Sequence, residues 1–311
     1  MISGHWKPIR KPGFGWLQSI SDSILRYELS TPDRVPYLGS EDTFLVASDY
    51  AGDHNTPYRV YAFLATAVEA LNPWLDSIGR LRSQLLPQQR RMSFKRLGDQ
   101  HRAAALVPFL TAADQIPGFL LAVAISKHSG SLLEPARAEG KSDLFTPVQH
   151  WKKNILEELF RIVSCVTLLV AGLSRPGHDV LWISDEDAIL ANETRMREIS
   201  QLFGGIASNL LEHQMGHLRW TTTRYDAGQM QLEDIVAIPD LVAGALLSLL
   251  QHPDALQSET FSLDERANPI LWWLTNVSPI GSRIIVLDRD ERGEEGQQCS
   301  IRALNLTPKL R

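Results

Sequence analysis

Two strand patterns joined by a turn constrain the fold of this chain more than any other feature of its 311 residues. Thr43-Phe-Leu-Val-Ala-Ser48 is a compact apolar run leading into Asp49-Tyr50-Ala51-Gly52-Asp53, and Gly52, Asn55 and Pro57 mark a turn. Tyr58 to Ala67 reads as a second strand, so the pair predicts a hairpin. A sheet that begins with a hairpin is not a purely parallel, doubly wound one, because parallel neighbours need a long crossover rather than a short turn. Further compact runs at Phe119–Ser126, Asp179–Ser184 and Leu218–Tyr225 predict three more strands. Helical periodicity lies between them. It covers about 71–115 with breaks at Pro87 and Pro108, then Trp151, Ile155, Leu159, Ile162, Val166 and Leu169, then Met196 to Leu210. Pro147 and Pro239 stand where a first helical turn tolerates proline, and Pro239 opens a helix through Leu250. The expected class is α/β: a mixed β-sheet flanked by helices.

Residues 1–40 carry four prolines and no sustained period, so 1–42 reads as an irregular N-terminal arm. The core is expected over 43–254. Residues 255–311 form a C-terminal extension, with a Trp-containing helix near Leu271 and a hairpin of Arg283–Leu287 with Ser300–Leu306. Apolar residues at 44% and charged residues at 22% exclude a disordered or collagen-like chain. Two cysteines, Cys165 and Cys299, supply neither a disulfide framework nor a zinc pattern. Met1 to Asp22 has no continuous apolar stretch of the secretory kind, and the longest apolar run, Ile162 to Leu173, is 12 residues, short of a membrane span. The expectation is a soluble, cytoplasmic protein with no membrane partner.

The net charge of −5 conceals a strong asymmetry. Residues 80–102 hold Arg80, Arg82, Arg90, Arg91, Lys95, Arg96 and Arg102 against the single acid Asp99, a local balance of +6. Residues 254–295 hold nine acids and four bases, which equals the whole deficit. Clustered arginine and lysine neutralise phosphates and release counterions, so the basic segment is a candidate nucleic-acid contact, DNA or RNA. Its structural alternative is a solvated helix face.

Acidic residues stand at strand exits or at a helix start: Asp49, Asp185 with Glu186 and Asp187, and Asp240. Carboxylates converging on one sheet edge supply the oxygen ligands that Mg²⁺ prefers. Two such ions about 3.5–4 Å apart activate a water and stabilise the leaving oxygen in phosphodiester cleavage. Each residue also has a plain structural use, as a turn former or a helix cap.

Other motifs are weaker. Asp185-Glu186-Asp187 resembles the start of haloacid-dehalogenase-type phosphatases but falls past the middle of the chain. His213-Gln-Met-Gly-His217 has zinc-protease spacing without the glutamate, and Gly140-Lys141-Ser142 lacks the rest of a phosphate loop. No Gly-x-Ser-x-Gly elbow occurs.

The chain resembles the RNase H-like nuclease superfamily, nearest the family known as domain of unknown function 3800. Ser48-Asp49-Tyr50-Ala51-Gly52 is similar to that family's opening Asp-Glu-Ser-Gly, and Ala237-Ile-Pro-Asp240-Leu-Val-Ala-Gly244 to its closing Gln-x-Ala-Asp-Leu-Val-Ala-Gly. Leu181-Trp-Ile-Ser-Asp185 resembles the strand that delivers its middle aspartate. The chain departs from the pattern at Tyr50, in place of a Glu for which Asp53 is the available substitute, and at Ser93-Phe94-Lys95, in place of Glu-x-Lys. The resemblance implies an RNase H-like core and a nuclease using Mg²⁺ or Mn²⁺. Asp49, Asp185 and Asp240 would be the metal ligands, Asp187 the understudy for Asp185, and Lys95 would stand at the scissile phosphate. It also implies, by analogy, a role in host defence or a mobile element. The competing expectation is a non-catalytic module of the same fold that binds nucleic acid, a partner protein or a second copy, with Trp272-Trp273 as a candidate surface.

Overall fold

Alternation along the central strands decides the architecture. In β1 (Thr43–Ala51), Leu45 and Ala47 face one side and Phe44 and Val46 the other, and all four are buried. β2 (Tyr58–Ala67) and β3 (Phe119–Ser126) repeat the pattern, with Val60, Ala62, Leu120 and Ala122 on the first side and Tyr61, Phe63, Leu121 and Val123 on the second. Strands apolar on both faces need a helical layer on each side. The computed structural model, which describes residues 5–185, 193–252, 260–261, 265–289 and 299–308, has that three-layer form. The second side is covered by α1 (Gly15–Ser30), α5 (Lys153–Leu173) and α6 (Glu193–Leu210). The first is covered by α2 (Asn72–Leu85), α3 (Gln100–Ala113), α7 (Gln231–Leu250) and α8 (Ala267–Trp272). A short helix, α4 (Leu133–Ala136), follows β3.

One seven-stranded sheet includes β4 (Asp179–Ser184), β5 (Leu218–Thr222), β7 (Gly281–Arg289) and β8 (Cys299–Ala303), in the order β5-β4-β1-β2-β3-β7-β8. β2 pairs antiparallel with β1 on one side and with β3 on the other, β4 runs parallel to β1, and β5 parallel to β4. The expected α/β class with a mixed sheet is therefore the observed one. β7 pairs with β3 in parallel and β8 returns antiparallel, so the C-terminal hairpin widens the same sheet. β6 (Thr260–Phe261) and β9 (Thr307–Pro308) make a separate two-stranded pair.

Four expectations are corrected. The segment 1–42 is not irregular: it holds the 16-residue α1, whose Leu17, Ile20 and Ile24 are buried beneath the sheet. Its leading strand of chain is pinned as well. Trp6 packs so closely on Gly172 that a Cβ there would lie 2.3 Å from the ring, and the Trp6 indole donates to Ser21 Oγ at 3.1 Å. Pro239 does not open a helix but lies inside α7, which begins at Gln231 because the Asp226 carboxylate, five residues upstream, accepts the N–H groups of Gln231 and Glu233. Pro108 likewise sits inside α3 on its exposed side, where it supplies no N–H for the carbonyl of Ala104, itself an exposed residue. Finally, β5 stops at Thr222 and Thr223–Asp226 is a single 3-10 turn.

Candidate active site

Asp49 and Asp185 meet because of strand register. β1 and β4 are parallel neighbours with Ser48 opposite Ser184, so the next residue of each strand carries its carboxylate at the same level. Strand alternation puts Asp49 on the side of Leu45 and Ala47, the face that α7 covers. Asp240, in the middle of α7, completes the set, and all three residues line one cleft of about 780 Å³ at the carboxyl end of these parallel strands. Three elements far apart in sequence thus deliver the three acids that the strand ends and motif had singled out.

The carboxylates are held individually. Asp49 is buried, and its Oδ1 accepts the Tyr50 N–H at 2.6 Å. Asp185 accepts the Thr223 hydroxyl at 2.8 Å. Asp240 accepts the Phe94 N–H at 2.6 Å and the Ser93 hydroxyl. Burial, then the charges of Asp240 and Asp185, raise the Asp49 carboxyl well above the usual range. Burial likewise raises Asp240, against the opposing pull of the Phe94 N–H, Arg91 and Ser93. Folding has placed like charges together in a low-dielectric setting, a costly arrangement typical of sites that use the charge.

The cation among them is Arg91. Its Nη2 lies 2.8 Å from Asp185 Oδ2 and 4.0 Å from Asp49 Oδ2, and its Nε lies 2.8 Å from Glu233 Oε2 without hydrogen-bond alignment. Burial works against this guanidinium's charge, but the hydrogen bond and charge of Asp185, with Glu233 and Asp49, outweigh it and raise its pKa. Burial also raises Glu233. The local set is four carboxylates and one guanidinium.

The basic segment divides sharply. Arg82 makes a bidentate pair with Asp234, Arg90 and Arg102 pair with Asp99, and Arg91 serves the cleft, so these four arginines are engaged within the fold. Arg80 is exposed but donates to Ser77 Oγ and does not line the cleft. Only Lys95 and Arg96 of the seven are exposed side chains on the cleft wall. The expected basic face is thereby corrected to a two-residue rim on the cleft, because Asp234, Asp99 and Asp185 pair with Arg82, with Arg90 and Arg102, and with Arg91. That rim is anchored by Gly244: a Cβ there would lie 2.3 Å from Phe94 Cγ, so the missing side chain lets the Phe94–Arg96 turn dock on α7. Arg59, Arg266 and His252 add basic groups to the lining.

Several candidates fall away from the site. Asp53 sits at the exposed hairpin turn, where its Oδ1 accepts the Asn55 N–H at 2.8 Å, and it does not replace the glutamate absent at Tyr50. Tyr50 turns its ring toward Tyr61 and Phe63 and its hydroxyl toward Ser48 Oγ at 2.8 Å. His213 and His217 contact different partners, Ser174 and Asp179. Trp273 is buried and Trp272 is partly exposed, so they do not form a joint surface. Asp187, with Glu186, lies outside the described residues.

Glu233 and Thr223 were missed by sequence reasoning. Starting α7 at Gln231 puts Glu233 two turns before Asp240 on one helix face, and that spacing is the signal that Pro239 obscured. Thr223 carries no comparable signal, since its contact depends on the turn after β5.

The carboxylate oxygens of Asp49, Asp185 and Asp240 are the hard donors that suit Mg²⁺ or Mn²⁺, on a lining that also carries Arg59, Arg91, Lys95, Arg96 and Arg266. Among the described residues, no group of three or more Asp, Glu, His or Cys side chains is drawn together tightly enough to hold a metal ion. In this arrangement Arg91 is the positive charge next to Asp185 and Asp49. None of the helices among the described residues is long and apolar enough to cross a membrane. Comparison with protein-family models, with curated proteins and with solved structures found no match for this chain.

Proposed function

We propose that this protein is a divalent-metal-dependent nuclease, cleaving phosphodiester bonds of DNA or RNA on an RNase H-like core. One observation carries the reading: Asp49 and Asp185 leave adjacent parallel strands at the same level, and Asp240 reaches the same cleft from α7. The five strands β3-β2-β1-β4-β5, three antiparallel and then two parallel, would be that core, with β7 and β8 as additions to its edge. Asp49, Asp185 and Asp240 would hold Mg²⁺ or Mn²⁺, which when bound activates a water and stabilises the leaving oxygen. Asp187 remains a proposed ligand. Thr223 keeps Asp185 oriented, and the Phe94 N–H and Ser93 hydroxyl keep Asp240 oriented. Lys95 and Arg96 would grip the phosphate backbone, Lys95 nearest the scissile group, and the work would be done in the cytoplasm, in host defence or for a mobile element.

Arg91, close against Asp185 and Asp49, favours a second reading: a non-catalytic module of the same fold that binds nucleic acid or a protein partner. Purified protein incubated with Mn²⁺ and RNA, DNA or an RNA–DNA hybrid separates the two. Cleavage that Asp49→Ala and Asp240→Ala both abolish, with unchanged circular dichroism, supports the nuclease. Intact substrates of all three kinds overturn it, and retention of nucleic acid on the uncleaving protein supports the module.

A further inference from the structure

Arg91 stands where no other cleft residue does. Its guanidinium spans Asp185 and Glu233 and lies 4.0 Å from Asp49, so one side chain links β4, α7 and the end of β1. Arg82, by contrast, saturates a single acid, Asp234, with two hydrogen bonds. The contacts of Arg91 are spread and unsaturated: one short bond to Asp185, an off-axis approach to Glu233 and a long approach to Asp49. A cation held in that way neutralises a cluster without completing any one pair. Removing it takes away the guanidinium that lies 2.8 Å from Asp185 and 4.0 Å from Asp49, while the rim groups Lys95 and Arg96 are exposed on the cleft wall.

We propose that Arg91 is the resident counter-ion of the carboxylate cleft, a positioning residue whose place beside Asp185 and Asp49 a divalent cation takes. The inference rests on the reading that the cleft admits such a cation. A divalent ion on these carboxylates repels the guanidinium beside them, so occupancy by the metal disfavours the Arg91–Asp185 contact. Glu233 then remains as the tether, approached by Nε, and keeps the released guanidinium at the cleft, where its Nη donors meet an anionic phosphate. The arginine therefore holds Asp185, Asp49 and Glu233 together when no metal is bound and sets the concentration at which metal enters.

The test uses the full chain and MnCl₂ alone, read by isothermal titration calorimetry and by melting temperature. Arg91→Gln is expected to melt lower than wild type without metal, to regain that loss on Mn²⁺ addition, and to bind Mn²⁺ about tenfold or more tightly than wild type. Arg91→Lys, which keeps the charge, is expected to return toward wild-type affinity, and Asp49→Asn to lose the saturable binding. A wild type and Arg91→Gln that bind Mn²⁺ equally overturn the inference while leaving the metal reading intact. No binding by either overturns both. Should Arg91→Gln fail to fold, the Arg91 Nε–H resonance of wild type, assigned through Arg91→Lys, decides the matter. It must shift on Mg²⁺ titration, and an unmoved signal under saturating Mg²⁺ overturns the inference.

Discussion

Two neighbouring acids on α7, Glu233 and Asp234, meet two arginines from the same basic segment with different results. Asp234 is 1% exposed and receives both arms of Arg82, at 2.5 and 2.9 Å. Burial still outweighs the pair, and the Asp234 carboxyl is pushed up to about 6. Glu233 shares Arg91 with Asp185 and Asp49 and completes no pair. One contact is a closed ion pair that ties α2 to α7, and the other is an open cluster with an excess of negative charge. The closed pair specifies structure, because either partner alone leaves a buried charge; the open cluster keeps like charges close together.

The largest effect should come from breaking the closed pair. Arg82→Ala leaves Asp234 buried and unpaired, and urea denaturation at pH 7 should show a loss of roughly 3–5 kcal/mol. Because the folded-state pKa of Asp234 lies above its unfolded value of about 3.9, its proton stabilises the fold fully below pH ~4. That contribution is lost as pH rises through about 6, so the deficit of Arg82→Ala should shrink on acidification. A deficit that is the same at pH 5 and pH 8 would contradict the closed-pair description.

The open cluster predicts the opposite sign. Asp49→Asn removes one of the repelling charges from a buried site, and it should stabilise the metal-free protein at pH 7 by about 1 kcal/mol. The raised Asp49 pKa means that wild type recovers this stability as pH falls, so the two melting curves should converge toward pH 4. An Asp49→Asn protein less stable than wild type at pH 7 would show that the cluster is not strained. The smallest stability effect belongs to the rim: Lys95→Ala with Arg96→Ala should change stability by less than about 0.5 kcal/mol. The same double variant should lower the salt slope of nucleic-acid binding by about 2, measured by fluorescence anisotropy across a salt series.

Much of the sheet was legible in the sequence because each strand writes its own short-range signal. Phe119–Ser126 and Asp179–Ser184 are compact apolar runs with polar ends, and both form strands with those bounds. Asp49 and Asp185 were legible for the same reason, as acids at the ends of such runs. Asp240 was found by its motif while its setting was misjudged. Proline inside a helix costs one hydrogen bond, a local penalty that burial of α7 against β1 and β2 overrides. α1 escaped notice because its prolines flank the helix rather than enter it, leaving Leu17, Ile20 and Ile24 as a short stripe among polar residues.

The five central strands and the two strand-end acids Asp49 and Asp185 could be read from the chain alone, since they follow from compact apolar runs and from where each run stops, and Asp240 from its motif. What the arginines do was settled by packing. Arg82 and Asp234 are 152 residues apart, and no local pattern says whether a guanidinium will face water or a buried acid. That choice is made when α7 settles on the sheet, because a carboxylate shut away from water draws in the nearest cation to offset its desolvation. The run that looked like a basic surface thus became a closed pair of Arg82 with Asp234, two arginines on Asp99, one guanidinium in the carboxylate cleft, an exposed Arg80 and a cleft rim of Lys95 and Arg96.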